Sequence, residues 1–317
     1  MKCIPVWNRC NNKCVMCSNP PDYPDFGKYD LASLKTRINR IPRGETEIYL
    51  TGGEPSLHPE LLPLLAHIRA RLPRARILMD TNGRMFSYRA FAAECAAFGN
   101  LEFQVSLCGH GPATHDGITR TPGSFRQALA GIRNLLALKA RGVEVEARFV
   151  LTALSIRDMW KVYRLVRGLG GIKALVLIFM ELEGHAGLNF KSMGLTYSRA
   201  RAPVEKFFAS LEKSRVAAPE LKLYHFPLCT LPQRLWKYAW RTLPRKEVSF
   251  PPSCSRCAVK KYCLGVHKDY IKHIGVAEFK PLGSAPRLKL SPNVCHPITA
   301  VDSGRGPVTS GRGPVAG

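Results

Sequence analysis

The sequence lacks any apolar run long enough to cross a membrane. Its longest, from Ala174 to Met180, falls well short of the roughly 18 residues that a transmembrane helix needs. Near the N-terminus, Arg9 and Lys13 interrupt any hydrophobic segment of the kind that a signal peptide carries. These absences predict a protein without a membrane partner, located in the cytoplasm.

Negative charge is also scarce, because 23 acidic residues stand against 47 basic ones and the formal net charge is +24. Such a field favours anionic partners, including nucleic acids, phosphorylated metabolites and acidic peptides. The basic residues are nevertheless spread along the chain, and none of the short nucleic-acid-binding motifs is present. A general preference for arginine explains the charge equally well, so nucleic acid is disfavoured as a partner.

Cysteine, in contrast, is abundant, with eleven residues of which most fall in two groups. This usage is typical of metal ligands in a reducing cytoplasm rather than of disulfides. The first group is Cys10, Cys14 and Cys17, spaced C-x3-C-x2-C. Three thiolates this close can hold three corners of a cubic iron–sulfur cluster, and no fourth cysteine follows nearby. One iron would then stay open for a substrate or cofactor. A zinc knuckle is the alternative, but three cysteines without a neighbouring histidine make a poor set of zinc ligands.

A second motif, Gly52-Gly53-Glu54-Pro55, follows the apolar run Ile48–Leu50. Glycines at a strand end let the backbone approach a ligand closely. A carboxylate at that point can accept hydrogen bonds from an ammonium group. Alone the motif is compatible with an ordinary turn, but its distance after the three cysteines favours a shared site.

Together the two motifs resemble those of the radical S-adenosylmethionine (SAM) superfamily. The resemblance implies a [4Fe-4S] cluster on Cys10, Cys14 and Cys17, with the amino and carboxylate groups of SAM on the open iron. Met16 matches the apolar residue usual before the third cysteine, and Gly52, Gly53, Glu54 and Pro55 would line the SAM amino group. The implied chemistry is one-electron cleavage of SAM to methionine and a 5′-deoxyadenosyl radical, which takes a hydrogen atom from the substrate. An electron donor such as a flavodoxin or ferredoxin is implied as well.

Strands and helices alternate in the first part of the chain, and this pattern predicts an α/β fold with a parallel sheet. The predicted strands are residues 3–8, 47–50, 76–79, 101–107, 143–151 and 174–180. We expect a (β/α)6 partial TIM barrel, the fold that the resemblance also implies, with a small cysteine-rich C-terminal extension. An ordinary doubly wound α/β fold is the alternative. Functional residues should collect at the strand C-terminal ends.

Ser106 and Arg148 are candidate cofactor contacts on the fourth and fifth strands. Ser106 lies where the superfamily often places a residue near the SAM carboxylate or ribose, and Arg148 suits that carboxylate. The alternative for Arg148 is an internal pair with Glu146. Cys108 either donates a hydrogen atom near the substrate or is a small core thiol, which is the favoured interpretation.

The second cysteine group is Cys254, Cys257 and Cys263, with Cys229 upstream and Cys295 downstream as candidates for a fourth ligand. A zinc ribbon, with His267 as a possible ligand, is one interpretation. Beside the first motifs, the pattern resembles the SPASM or "twitch" extensions, which implies one auxiliary [4Fe-4S] cluster. Cys229 is preferred because Cys295 adjoins a Gly/Pro/Ser-rich end.

These groups divide the chain into four predicted segments: 1–183 the barrel, 184–228 a connecting helical region, 229–296 the auxiliary domain, and 297–317 a disordered tail. No winged-helix peptide-recognition domain is expected at either end.

Two stretches bear on the substrate. Cys14 to Pro21 and His115 to Phe125 are similar to peptide-modifying maturases, including the His-Xaa-Ser type. His115 to Phe125 is also similar to the corresponding loop of the molybdenum-cofactor biosynthesis enzyme that cyclises GTP. The first hypothesis is therefore a ribosomally made peptide as substrate, and the second is oxidation or rearrangement of a small metabolite, anionic or neutral. A zinc-containing nucleic-acid-binding protein is the hypothesis from another class. His115 to Phe125 is predicted to form the loop that leads into the next helix. His115 and Asp116 serve either acid–base chemistry or, the favoured interpretation, a capped entry to that helix.

Overall fold

A computed structural model describes residues 2–20, 28–214, 219–289 and 299–300. The chain forms two compact units, Met1–Lys222 and Leu223–Gly317. Cys295 and the predicted tail 297–317, apart from residues 299–300, lie outside the described residues.

The first unit alternates strands with helices. Its strands are β1 (Lys2–Trp7), β2 (Glu47–Gly52), β3 (Arg76–Thr81), β4 (Leu101–Ser106), β5 (Val143–Leu151) and β6 (Ala174–Phe179), and β7 (Glu220–Tyr224) spans the division between the units. Its helices are α1 (Leu31–Asn39), α2 (Leu61–Arg71), α3 (Arg89–Ala96), α4 (Pro112–Thr119), α5 (Ser124–Leu136), α6 (Met159–Leu169), α7 (Gly184–Leu188), α8 (Phe190–Met193) and α9 (Tyr197–Ser214).

Strands β1 to β6 pair in parallel with their neighbours in sequence order. The prediction of a parallel α/β sheet is therefore confirmed. The order continues through β7 to β8 (Ala239–Trp240), so the sheet has eight strands within the described residues instead of the six expected. Because the strands are parallel, the cysteine loop after β1 and the glycines ending β2 lie at the same edge.

One predicted loop is wrong, because residues 112–119 form helix α4. In the sequence, Gly117 and several polar residues interrupt any helical repeat of apolar residues, and this indicates a loop. Pro112 at the first helical turn starts the helix, and Arg120 ends it with a left-handed φ of 49°.

Residues 184–222 group with the first unit and do not form a separate connecting segment. Three contacts show why. The Ala153 N–H donates to Met193 O at 3.0 Å, and Asn189 Nδ2 donates to Val15 O at 3.0 Å. The Lys222 ammonium pairs with Glu146 at 2.7 Å.

The apolar core lies between the sheet and its helices, while the opposite face of the strands is polar. On β4, Phe103 and Val105 are buried in the core. Their neighbours Glu102 and Gln104 are also buried, but they are paired in register with Glu144 and Glu146 of β5. Buried polar groups of this kind need partners, and most of them find one in ion pairs across the strands.

An ion cluster lies at the start of the strands, centred on Glu102. Arg76 Nη2 lies 2.6 Å and Lys173 Nζ 2.7 Å from Glu102 Oε2. Burial would raise the pKa of Glu102. The hydrogen bond from Lys173 and the charges of Arg76 and Lys173 outweigh it and lower that pKa to about 2.

We expect Glu102 to stabilise the fold near neutral pH and to lose this effect in acid. Its folded pKa of about 2 is below the ordinary value of 4.5, so the contribution is complete above pH 4.5 and disappears as the pH falls through about 2. The shift corresponds to a free energy on the order of 3 kcal/mol. Urea unfolding of the wild type and Glu102→Gln should therefore show a stability difference that shrinks from pH 6 to pH 3. A difference independent of pH would contradict this assignment.

The second unit contains short elements: β8, β9 (Val248–Ser249), β10 (Val266–His267), α10 (Lys268–Ile274), β11 (Leu288–Lys289) and β12 (Thr299–Ala300). Strands β9 and β10 pair antiparallel, as do β11 and β12. Throughout the described ranges, no helix combines the length and apolarity that a membrane crossing requires.

Candidate metal centres

The cysteine loop after β1 is held in place by backbone hydrogen bonds to the end of α4. Lys13 N donates to Thr119 O and Val15 N to Ile118 O, both at 2.9 Å. A third bond, from Asn189 Nδ2, reaches Val15 O on the same loop. Cys14 therefore lies between two backbone anchors, and the stretch 115–125 acts by supporting this loop.

His115 and Asp116 have structural roles. His115 Nδ1 accepts a hydrogen bond from Cys108 N at 3.1 Å, and burial lowers the pKa of His115 to about 4. The Asp116 carboxylate accepts hydrogen bonds from Gly123 N (2.8 Å), Phe125 N (2.7 Å) and the Ser124 hydroxyl. The structure therefore agrees with the favoured interpretation, because the Asp116 carboxylate caps the first turn of α5.

The turn after β3 supports the cysteine loop from the other side. Asn82 Nδ2 donates to Asn11 Oδ1 at 2.7 Å and lies 3.8 Å from Cys10 Sγ. Arg84 Nη1 donates to Asn11 O and, at 2.9 Å, to Asn12 Oδ1. In the sequence, the Asn82-Gly83 pair favours a turn over a cofactor contact for Asn82, and nothing singles out Arg84. Neither residue has a local motif that would point to a loop some 70 positions away.

Gly52 and Gly53 allow a close approach, but to the chain's own backbone. A Cβ on Gly52 would lie 2.0 Å from Trp7 O, and one on Gly53 would lie 2.4 Å from Arg9 O. The Gly53 and Glu54 N–H groups donate to these two carbonyls at 2.7 and 2.8 Å. The glycines therefore join the end of β2 to the start of the cysteine loop.

Glu54 is almost fully buried, and both carboxylate oxygens accept hydrogen bonds within the protein. Oε1 accepts from the Ser56 N–H, the Ser56 hydroxyl and the Thr81 hydroxyl at 3.1, 2.5 and 2.6 Å. Oε2 accepts from Asn82 N at 2.6 Å. Burial raises the pKa of Glu54, and these hydrogen bonds only partly offset it. Pro55 begins the short 3₁₀ turn that Glu54 caps. A role for Glu54 toward the SAM amino group stays a prediction.

Ser106 and Arg148 lie directly opposite each other in the register of β4 and β5. Arg148 Nε donates to Glu146 Oε1 at 3.2 Å, and Nη1 donates to the Tyr49 hydroxyl at 2.8 Å. Asp80 is 3.6 Å from the same guanidinium. The internal pair with Glu146 is therefore present, and binding of a cofactor carboxylate by Arg148 or Ser106 stays a prediction.

The three thiols of the loop suit a metal cluster chemically. Burial raises the pKa of Cys10 to about 11, and Cys10 Sγ accepts a hydrogen bond from Asn12 N at 3.4 Å. A contact with the Cys108 thiol, together with burial, raises the pKa of Cys14. Cys17 follows in a turn closed by Cys17 N to Cys14 O at 3.2 Å, with Met16 half-buried before it. Thiols held neutral by burial become thiolates when a metal supplies positive charge.

In the second unit, four cysteines line one small cavity: Cys229, Cys254, Cys257 and Cys263. The rest of its wall is largely apolar, including Pro227, Phe250, Val259 and Phe279. Cys229 comes from a 3₁₀ turn at Leu228–Thr230, and the other three follow one another between β9 and β10. The structure thus brings together the set of four that the sequence favoured.

Backbone N–H groups already point at two of these sulfurs. Cys263 Sγ accepts from Leu228 N at 3.4 Å and from Gly265 N at 3.5 Å, and Cys257 Sγ accepts from Leu282 N at 3.5 Å. Burial, followed by the crowding of the other three thiols, raises the pKa of Cys229 to about 12. Four thiols around one cavity are a donor set that fits either a [4Fe-4S] cluster or zinc.

His267, the alternative zinc ligand, does not line this cavity. Its Nδ1 accepts a hydrogen bond from Asp269 N at 3.3 Å and caps the start of α10.

Similarity to curated proteins extends over part of the chain. An AdoMet-dependent heme synthase of Nitratidesulfovibrio vulgaris is 24% identical over 188 residues, covering 58% of this chain and 49% of that protein. Pre-heme d1 synthase of Dinoroseobacter shibae is 34% identical over 48% of this chain and 37% of that protein. GTP 3′,8-cyclase of Petrotoga mobilis is 29% identical over 45% and 44%. The chain spans half or less of the length of these relatives.

Solved structures show the same fold. Streptococcus suis SuiB bound to S-adenosylmethionine matches with a TM-score of 0.54 and 14% identity, over 70% of this chain and 49% of that one. The enzyme anSMEcpe with bound AdoMet matches with a TM-score of 0.51 and 18% identity, over 69% and 62%. At these identities the likeness concerns the fold, an α/β partial barrel.

The sequence profile of the Radical SAM superfamily matches residues 4–166, which contain both the three-cysteine loop and Gly52–Pro55. The matched range amounts to 163 of the 317 residues. Because it exceeds half of the sequence, this chain belongs to the Radical SAM superfamily.

Proposed function

We propose that this chain is a radical SAM maturase of a ribosomally made peptide, with an auxiliary [4Fe-4S] cluster in a SPASM- or twitch-like second unit. Membership of the superfamily implies a [4Fe-4S] cluster and SAM. The further proposal is carried by the four-cysteine cavity of the second unit, which adds a second thiolate site to the radical SAM fold.

The first unit would hold its cluster on Cys10, Cys14 and Cys17. The bound group would supply an electron that cleaves SAM, and the resulting radical would take a hydrogen atom from the peptide. The protein's own contribution is a loop anchored on three sides, by α4, by Asn189 and by the turn after β3. Anchoring of this kind keeps the ligands in the geometry that the chemistry needs.

The second unit would hold its cluster on four protein thiolates. With four thiolate ligands, every iron of this cluster would be bound by the protein and none would be open to the substrate. Such a cluster would accept an electron rather than bind the substrate directly. Lys260 and Lys280 also line the cavity, and their positive charges would make an electron easier to accept.

A peptide is the preferred substrate for two reasons. The stretches Cys14 to Pro21 and His115 to Phe125 resemble peptide maturases. Among proteins of the same fold, SuiB has been solved with its precursor peptide SuiA and anSMEcpe with the Cp18Cys peptide. The curated relatives favour a second candidate, a small metabolite, because they include heme synthases and GTP 3′,8-cyclases.

The cellular setting follows from the cysteines. None of the ten cysteines in the described ranges forms a disulfide. Free thiols in this number favour the reducing cytoplasm, with a flavodoxin or ferredoxin as the electron donor.

The substrate class can be tested with anaerobically purified, reconstituted protein, SAM and dithionite. A synthetic peptide with His-Xaa-Ser repeats should accelerate release of 5′-deoxyadenosine at least about tenfold, as a bound and oriented substrate does. The peptide recovered should be lighter by two hydrogen atoms in mass spectrometry: the 5′-deoxyadenosyl radical takes one, and the other leaves as a proton while the auxiliary cluster accepts its electron. A protein lacking Cys10, Cys14 and Cys17 is the control. Acceleration by a porphyrin or GTP, and none by the peptide, would support the second candidate instead.

A further inference from the structure

We infer that Asn82 and Arg84, in the turn after β3, are positioning residues that raise the reduction potential of the first cluster. The inference rests on the cluster proposed for Cys10, Cys14 and Cys17. It concerns the addition of one electron to that cluster, which an external reductant such as dithionite supplies in the assay.

The Asn82 side chain is oriented by its hydrogen bonds. Its Oδ1 accepts from Arg84 N at 3.0 Å, and its Nδ2 donates to Asn11 Oδ1 at 2.7 Å. The backbone N–H of Asn82 donates to buried Glu54 at 2.6 Å. These partners fix which end of the amide is oxygen and which is nitrogen. The second Nδ2 hydrogen can then be donated to Cys10 Sγ, 3.8 Å away.

Arg84 holds Asn12, whose N–H is the second donor to Cys10 Sγ. Nη1 donates to Asn11 O and Asn12 Oδ1, while Nε donates to Gln127 Oε1 at 2.7 Å. The Asn12 N–H in turn donates to Cys10 Sγ at 3.4 Å. The guanidinium is half-buried, so its charge beside the loop is only partly screened by water.

The turn itself has little room to move. Gly83 has a left-handed φ of 77°, and its N–H donates to the Thr81 hydroxyl at 3.0 Å. Helix α5 packs so closely that a Cβ on Gly131 would lie 2.1 Å from Gly83 O. The backbone that carries Asn82 and Arg84 is therefore held by the sheet and a helix, outside the cysteine loop that their side chains contact.

The direction of the effect follows from charge. The reduced cluster carries one more negative charge than the oxidised cluster, so N–H donors and a nearby cation stabilise the reduced form more. Removing them should lower the potential and make the first cluster harder to reduce.

The test is a redox titration of anaerobically reconstituted full-length protein, with the reduced cluster followed by the EPR signal that changes on SAM addition. We expect Asn82→Ala and Arg84→Gln each to lower the equilibrium constant for reduction about tenfold, a shift of ~59 mV for one electron. Arg84→Lys, which keeps the charge, should recover part of the shift. Iron and sulfide are measured on every sample.

Asn134→Ala is the matched control. Asn134 Nδ2 donates to Phe86 O and Ser87 O at 2.9 and 3.0 Å, so it also supports this region, but without a bond to sulfur. Its potential should equal that of the wild type. If Asn82→Ala takes up no iron, Asn82→Asp serves, since it keeps the acceptor for Arg84 N but cannot donate to sulfur. Unchanged potentials in iron-replete variants would overturn the inference, whereas a wild type without a SAM-responsive cluster would overturn the proposed function.

Discussion

Replacing Cys10, Cys14 and Cys17 together by alanine should lower the iron content of anaerobically purified protein from about eight to about four atoms per chain. The same variant should release no 5′-deoxyadenosine above background, because the group that supplies the electron is gone. The four remaining irons would be those of the second unit, whose cysteines line a separate cavity. Iron, sulfide and zinc assays, with chromatography of the nucleoside product, provide the measurement.

Three further variants make this result specific. Cys229→Ala should lose the other four irons and keep the SAM-responsive cluster, while Cys295→Ala should keep both. Cys95→Ala removes a buried thiol of α3 that belongs to neither group, and it should change nothing in the metal content. Zinc in place of iron in the wild type would contradict both clusters and favour the nucleic-acid-binding hypothesis, which salt-dependent binding would then test.

Glu54→Ala should destabilise the first unit by about 3 kcal/mol or more. The substitution leaves four hydrogen-bond donors without their acceptor, on Ser56, Thr81 and Asn82. The freed donors stay buried or half-buried, so each is left without a partner that water could replace fully. Urea denaturation of the protein before cluster reconstitution measures the change without any effect of the metal.

Two control variants separate structure from cofactor binding. Glu54→Gln keeps the shape of the side chain, but its NH₂ group replaces an acceptor and faces a hydrogen-bond donor. The free energy of unfolding should therefore still fall by about 1–3 kcal/mol. Glu94→Gln, on the exposed face of α3, should be neutral. A stable Glu54→Ala protein with weakened SAM binding only would contradict the structural role and support direct contact with the SAM amino group.

The two motifs form one connected support in the structure. Gly53 and Glu54 hold the backbone of residues 7–9. The Glu54 carboxylate holds the turn after β3, and Asn82 and Arg84 of that turn hold the cysteine loop. The glycine motif therefore acts on the three cysteines both through β1 and through β3.

Much of the architecture was readable from the sequence because its signals are local. Alternating strands and helices predicted the parallel sheet, and the bounds of β5 agree with the prediction residue for residue. The spacing of Cys10, Cys14 and Cys17 by itself indicates a metal-binding loop. Helix α4 was missed because its residues, among them Gly117, carry no apolar period, and its start depends on Pro112.

The sequence by itself determined which chemical groups this chain can offer: three thiols on one short loop, five more in the second part, and a glycine-rich strand end. Only the tertiary structure decided how these groups are held. The Gly53 and Glu54 N–H groups meet the backbone carbonyls of Trp7 and Arg9, Arg148 pairs with Glu146, and Asn82 reaches Cys10. The reason is physical: hydrogen bonds between residues far apart in the sequence, such as Gly53 to Trp7 and Asn82 to Cys10, depend on strand register and helix packing, which no local pattern of residues encodes.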